Sequence, residues 1–217
     1  MIITAIEQQK RNKNRLSIFI DGGYAFGMER LAFGLLGLRV SDELSAKELE
    51  EIKATAVVED AKGLALRYLS RQPRTAGEVM LKLKGYDIDE DVILAVLDFL
   101  KEYRYVDDTA YSGKYIEQKR RAGYGDIRIK GELIRKGVKR DIVDSVFSEL
   151  AEEMDDEDDA VDETGEIILN LLRRRIKSES REEFDKKERQ RIYNFLNSRG
   201  FSYDDAKAAV RMYWEGD

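Results

Sequence analysis

Three segments of this chain close a helical run in the same way. Leu81-Lys82-Leu83-Lys84-Gly85-Tyr86, Leu133-Ile134-Arg135-Lys136-Gly137-Val138 and Leu196-Asn197-Ser198-Arg199-Gly200-Phe201 share the pattern Leu-x-x-x-Gly-apolar. Two helical runs stand before each, and a short acid-containing turn and an apolar helix follow: Val92 to Leu100, Ile142 to Leu150 and Ala206 to Trp214. The glycines are 52 and 63 residues apart, and the larger gap contains an acidic insertion. Repeat units of this kind bury apolar faces on one another. The pattern predicts three tandem three-helix repeats at 58–105, 106–151 and 162–217, with an acidic linker at 152–161. Stacked repeats imply an elongated, curved molecule.

Residues 1–57 read differently, as a small antiparallel sheet with short helices. Leu16, Ile18 and Ile20 alternate with Ser17 and Phe19, and Tyr24, Phe26 and Met28 alternate again after Asp21-Gly22-Gly23. Such a pair between alternating runs is a hairpin signal, because both turn residues need positive φ. Ile2 to Ile6 supplies a third strand. The fold class is therefore mainly α with this sheet at its N-terminal end.

Helix boundaries are also legible. Ser45-Ala46-Lys47-Glu48, Thr75-Ala76-Gly77-Glu78 and Ser180-Arg181-Glu182-Glu183 are capping boxes, in which hydroxyl and carboxylate satisfy two orphan N–H groups. Pro73 places a turn just before Thr75, and Asp107 is placed to cap a helix starting at Asp108. Gly85, Gly123, Gly137 and Gly200 each follow a periodic stretch and are expected to close it in the left-handed conformation.

Composition narrows the chemistry. The chain has no His and no Cys, which removes imidazole bases, triads built on them, thiolate nucleophiles and disulfides. Catalysis is not expected, and neither is a cofactor. No apolar run approaches the ~20 residues of a membrane span, and the first residues lack a basic-then-apolar leader pattern. A cytoplasmic protein without membrane contact is the expectation from these features; a monomer is expected as well.

Charge is segregated beneath the formal net of −6. Residues 113–140 hold ten bases against Glu117, Asp126 and Glu132, whereas 151–166 hold ten acids and no base. The acidic run Asp155 to Asp159 offers no calcium-loop register and reads as a solvated linker. The basic stretch supplies the candidate contacts: Lys114, Lys119, Arg120, Arg121, Arg128, Lys130, Arg135 and Lys136, with Arg71 and Arg74 as a secondary cluster. Such a patch suits phosphate oxygens or an acidic protein groove, because it releases counterions on binding. It equally suits a solvated helix C-terminus, where cations are favoured anyway. In Gly123-Tyr124-Gly125 the ring can stack on a base or staple one helix end to the next.

Five of these motifs in this order resemble the RecX family of regulators of the RecA recombinase. They are Arg71-Gln72-Pro73-Arg74-Thr75, Leu81-x-x-x-Gly85, Tyr105-Val106-Asp107-Asp108, Lys119-Arg120-Arg121-Ala122-Gly123-Tyr124-Gly125-x-x-Arg128-Ile129 and Glu132-Leu133-x-x-Lys136-Gly137-Val138. Gly37-Leu38-Arg39 and Asp42-Glu43-Leu44 resemble the N-terminal region of some members, while Asp126 stands where many relatives have Pro. The resemblance implies a non-enzymatic protein of three-helix repeats that lies along the RecA–DNA filament. It implies suppression of ATP hydrolysis and strand exchange, with a role in recombination, DNA repair and the SOS response. Some members also contact DNA, so weak binding to single-stranded DNA is expected. By the same resemblance, the middle-repeat cations and Tyr124 are the contact residues. The competing reading is a helical-repeat protein acting directly on DNA or RNA, which predicts tight binding to bare nucleic acid with a steep salt dependence.

Overall fold

The computed structural model describes residues 1–10, 13–86, 88–155, 163–176 and 186–215. The chain forms two compact units, 1–106 and 107–217.

The first unit begins with a three-stranded antiparallel sheet in sequential order, β1 (Ile3–Gln8), β2 (Arg15–Ile20) and β3 (Gly23–Glu29). Asp21 and Gly22 turn between β2 and β3 with φ of 48° and 82°, the left-handed pair that a right-twisted hairpin requires. In that register Ile18 faces Phe26 and Leu16 faces Met28. The inner face of Ile3, Ile18, Ile20, Phe26 and Met28 is buried against Phe33 of α1 (Arg30–Leu36) and Leu49, Ile52 and Ala56 of α2 (Ala46–Leu69). Arg15 ties the sheet to α2 through Asp60 at 2.6 Å.

α2 starts at the Ser45/Glu48 capping box and runs 24 residues without a break, straight through the expected boundary at 57/58. Its first half roofs the sheet, and its second half packs Ala61 and Ala65 into the core of the first repeat. α3 (Ala76–Lys84), opened by the Thr75/Glu78 capping box, and α4 (Glu90–Glu102) complete that repeat.

The second unit holds two further three-helix repeats. One comprises α5 (Asp108–Arg121), α6 (Asp126–Arg135) and α7 (Arg140–Asp155); the other comprises α8 (Glu163–Arg175), α9 (Lys186–Arg199) and α10 (Tyr203–Glu215). Asp107 caps α5 by accepting from Ala110 N–H at 2.9 Å. α7 continues to Asp155, so helix occupies the start of the expected linker. The rest of that linker, most of the acidic run and the Ser180/Glu183 capping box lie outside the described residues.

Burial gives the true register of the repeats. Ile93, Val96, Leu97 and Leu100 in α4 recur fifty residues later as Val143, Val146, Phe147 and Leu150, and sixty-three later still as Ala206, Ala209, Val210 and Tyr213. At the same offsets Leu83, Leu133 and Leu196 are all fully buried. Leu81, which the Leu-x-x-x-Gly pattern aligned with Leu133, is 74 % exposed. The first repeat is therefore shifted by two residues from its sequence motif. Gly85 consequently falls too early to close the turn and is right-handed at φ −67°, contrary to expectation. Gly123, Gly137 and Gly200 have φ of 77°, 81° and 89° as expected.

Candidate polyanion interface

The site is built where the second and third repeats meet. α5 closes with Gly123 N–H donating to Arg120 C=O at 2.8 Å and Tyr124 N–H to Lys119 C=O at 3.1 Å. That turn aims Tyr124 back over its own helix and leaves Gly125 at the start of the next. Gly125 N–H then donates to Arg199 C=O (2.9 Å), and Ile127 N–H to Gly200 C=O (3.2 Å). A Cβ on Gly125 would overlap the Gly200 carbonyl, and one on Gly200 would overlap the backbone of Arg128. The two glycines thus form a clasp in which one repeat's backbone touches the other's. Arg199 reinforces it by donating to the C=O groups of Ala122 (3.1 Å) and Gly123 (3.2 Å), at the negative end of α5.

Glu132 is the electrostatic centre. Its carboxylate accepts from the Tyr115 hydroxyl at 2.6 Å, from Lys119 Nζ at 2.7 Å and from Arg128 Nε at 2.9 Å, with its side chain 14 % exposed. The Lys119 and Tyr115 bonds hold its carboxyl down at about 2. The bond to Glu132 in turn raises Lys119, while burial, then the bond to Glu132, raises the Tyr115 hydroxyl.

A folded-state pKa below the unfolded one contributes stability above the unfolded value and loses it on acidification. Protonation of Glu132 should therefore destabilise the second unit as pH falls from the ordinary carboxylate range, near 4.5, to about 2. Glu132→Gln is expected to cost ~2 kcal/mol at neutral pH, because three donors lose a charged acceptor. Denaturant melts between pH 2 and 7 check both statements, since the variant should show a flatter acid limb.

Around this centre runs a continuous ladder of cations and rings. Lys136 lies over Tyr111 (5.7 Å) and Tyr115 (5.6 Å), which stack on each other at 5.9 Å. Lys119 lies over Tyr115 and Tyr124, at 5.1 and 5.0 Å. Arg128 and Arg199 both cover Tyr124, at 4.5 and 5.0 Å. Arg199 also covers Phe195 at 5.2 Å, and Arg175 covers that ring at 4.3 Å. Five cations from α5, α6 and its C-cap, α8 and α9 are thereby held on one track with Glu132 among them. Held in this way, they lose less rotamer freedom when an anion binds.

The expected contact residues separate into kinds. Lys119, Tyr124, Arg128 and Lys136 lie on the ladder, Tyr124 serving as the staple that its sequence context allowed. Lys114 and Arg135 are exposed, with no ion pair among the described residues. Lys130 pairs loosely with Asp144 at 3.5 Å and lies over Phe147. Arg71 is exposed in the first unit, where Arg74 pairs with Glu78 at 3.5 Å and covers Tyr68.

Arg120 and Arg121 diverge most, although adjacent. Arg121 is 78 % exposed and pairs with Glu117, whereas Arg120 is 15 % exposed and holds both oxygens of Asp126 at 3.1 and 3.0 Å. The Arg120–Asp126 pair is only half-buried, its carboxylate 40 % exposed, so breaking it lies between the ~0–1 kcal/mol of a surface pair and the ~3–5 kcal/mol of a buried one. Arg120→Glu, which also sets two carboxylates side by side, is therefore expected to lower the stability of the second unit by about 2 kcal/mol, and Arg121→Glu to leave the melting temperature within about a degree. Thermal melts followed by circular dichroism separate them.

Tyr115, Glu132, Phe195, Arg175 and Arg199 complete the site but were not among the expected residues. Tyr111, Tyr115 and Lys119 at four-residue spacing carry a helical-face signal. Arg199 has none, because its partner Gly123 is 76 residues away.

Four family models match the chain in order. The Regulatory protein RecX N-terminal domain covers 1–44, and the first, second and third three-helix domains of RecX cover 61–100, 107–146 and 162–210. "Regulatory protein RecX" of Clostridium botulinum (strain Eklund 17B / Type B) is 32 % identical over 212 residues, 96 % of this chain and 94 % of that one. The protein of that name from Clostridium tetani is 33 % identical over 221 residues, 99 % and 96 % of the two chains. Among solved structures, a crystal structure of regulatory protein RecX superposes with a TM-score of 0.70 at 26 % identity, covering 96 % of this chain and 98 % of the other. RecX from Lactobacillus salivarius gives 0.61 at 24 % identity over 72 % of this chain and 96 % of its own, a likeness of fold.

Proposed function

The chain belongs to the RecX family of regulatory proteins, and from that premise we propose that it binds the RecA–DNA filament and suppresses ATP hydrolysis and strand exchange without catalysis of its own. The observation that carries the reading is the cation–aromatic ladder across the second and third repeats. A recombinase filament on DNA presents a long polyanionic surface, and a track of cations fixed in position suits such a surface better than scattered lysines would. The net charge of −6 disfavours simple coating of DNA, since most of the protein would be repelled. Specific engagement therefore requires the protein component of the filament, with DNA phosphates as secondary contacts. The same reading makes the protein active as a monomer in the cytoplasm; among the described residues no helix is long and apolar enough to cross a membrane.

The test is DNA-dependent ATP hydrolysis by a RecA recombinase with this protein titrated from substoichiometric to excess, beside binding to bare single-stranded DNA in the same salt. Inhibition at concentrations where bare DNA stays unbound is the expected result. Inhibition that merely tracks occupancy of bare DNA would favour the direct nucleic-acid reading. Absence of inhibition would remove the recombinase as target.

A further inference from the structure

The first repeat carries a cleft of a different chemical character from the ladder. Tyr68, Glu78, Leu81, Lys82, Gly85 and Tyr86 line about 520 Å³ of open space beside α3. By the fifty-residue offset, Leu81, Lys82 and Tyr86 correspond to Gly131, Glu132 and Lys136 of the second repeat. Where the second repeat has a bare glycine and a carboxylate holding three donors, the first has an apolar side chain and a cation. Leu81 is 74 % exposed, and Tyr86 is 51 % exposed beside it. Lys82 Nζ stands 5.1 Å from the Tyr86 ring and 5.8 Å from the Tyr68 ring, and no carboxylate pairs with it among the described residues.

We propose that this cleft is a docking site for an acidic peptide segment of a protein partner, seating an apolar side chain on Leu81 between the two tyrosines and a carboxylate on Lys82. The charge favours that occupant over a nucleic acid. Glu78 already engages Arg74, so Lys82 is the lining cation left to receive an anion, and one cation is too few to track a phosphodiester chain. An exposed leucine gains from an apolar partner and gives a phosphate nothing. The proposal is independent of the recombinase reading, because it concerns peptide binding by the isolated protein.

The experiment is titration of the ¹⁵N-labelled full chain with the peptide Asp-Glu-Leu-Asp-Phe-Glu-Asp, followed by amide chemical shifts. Expected are shifts concentrated at Tyr68, Leu81, Lys82, Gly85 and Tyr86. Leu81→Ser should weaken binding at least fivefold and Lys82→Glu at least tenfold; both side chains are exposed, so the fold should survive. Lys47→Glu, at an exposed cation in the first turn of α2 away from the cleft, should leave peptide binding unchanged. No shift up to peptide concentrations of roughly 2 mM, near the weakest affinity of interest, would overturn the proposal. An equal response to the peptide with Leu and Phe replaced by Ser would overturn it too, by reducing the effect to general electrostatics. If an oligo-dT of similar length moved the same amides at lower concentration, the cleft would belong to nucleic acid instead.

Discussion

Gly125→Ala should lower the stability of the second unit by about 3 kcal/mol or more, on the order of 10 °C in melting temperature. The added Cβ meets the Gly200 carbonyl and the Phe201 amide, which are backbone atoms and cannot rotate away. Accommodating it requires the two repeats to separate, which breaks the Gly125 and Ile127 hydrogen bonds and pulls Arg199 off the end of α5. Each repeat keeps its own core, so the melt should broaden or split rather than shift as one transition. Gly131→Ala is the matched control. That residue lies within α6 with nothing near its Cβ position, and alanine there should stabilise by ~0.5–1 kcal/mol. Opposite signs at two glycines six residues apart would establish the clasp; a harmless Gly125→Ala would refute it.

The second large effect concerns activity. Reversing Lys136, Arg135 and Arg175 together should weaken recombinase inhibition about a hundredfold, at roughly tenfold or less per side chain for contacts to a polyanion. Lys136 and Arg175 lie at the two ends of the ladder, in different repeats, and Arg135 is exposed beside the first. Lys119 and Arg128, the cations that bond Glu132, are left in place, so the fold should be preserved. Melting temperature and helical circular dichroism should remain close to those of the unaltered protein. Inhibition should also become less sensitive to salt, because fewer counterions are released. Unchanged inhibition at matched ionic strength would place the filament contact elsewhere. A reversal confined to Arg120, Arg121, Arg128 and Arg135 would not be a clean test, since Arg120 and Arg128 are already engaged by Asp126 and Glu132 and their loss would also lower stability.

Much of the fold was legible because its determinants are local. The Asp21-Gly22 turn, the Ser45 and Thr75 capping boxes, the Asp107 cap and the closing glycines 123, 137 and 200 each act through neighbours a few residues away. The Leu-x-x-x-Gly motif misaligns the first repeat for an equally physical reason. Leu81 and Leu83 are both leucines near a glycine, and only burial distinguishes the core residue from the exposed one. Likewise, nothing in the chain near residue 57 reveals that α2 continues unbroken from the sheet into the first repeat, since a helix serving two cores changes its buried face without changing its backbone.

For the candidate site the division is sharper. Sequence alone determined that the cations concentrate in the second repeat, that Tyr124 sits on a glycine-flanked turn, and which family the chain resembles. These follow from composition, spacing and motif order, which are properties of the chain as written. Tertiary structure decided which cations are available. It committed Arg120 to Asp126, gathered Tyr115, Lys119 and Arg128 on Glu132, and brought Arg175 and Arg199 from the third repeat onto the same track. Charge is fixed by the residue, but whether it meets solvent or a carboxylate depends on which distant backbone the fold places beside it. Here that placement rests on two glycines, 75 positions apart, whose missing side chains let the repeats touch.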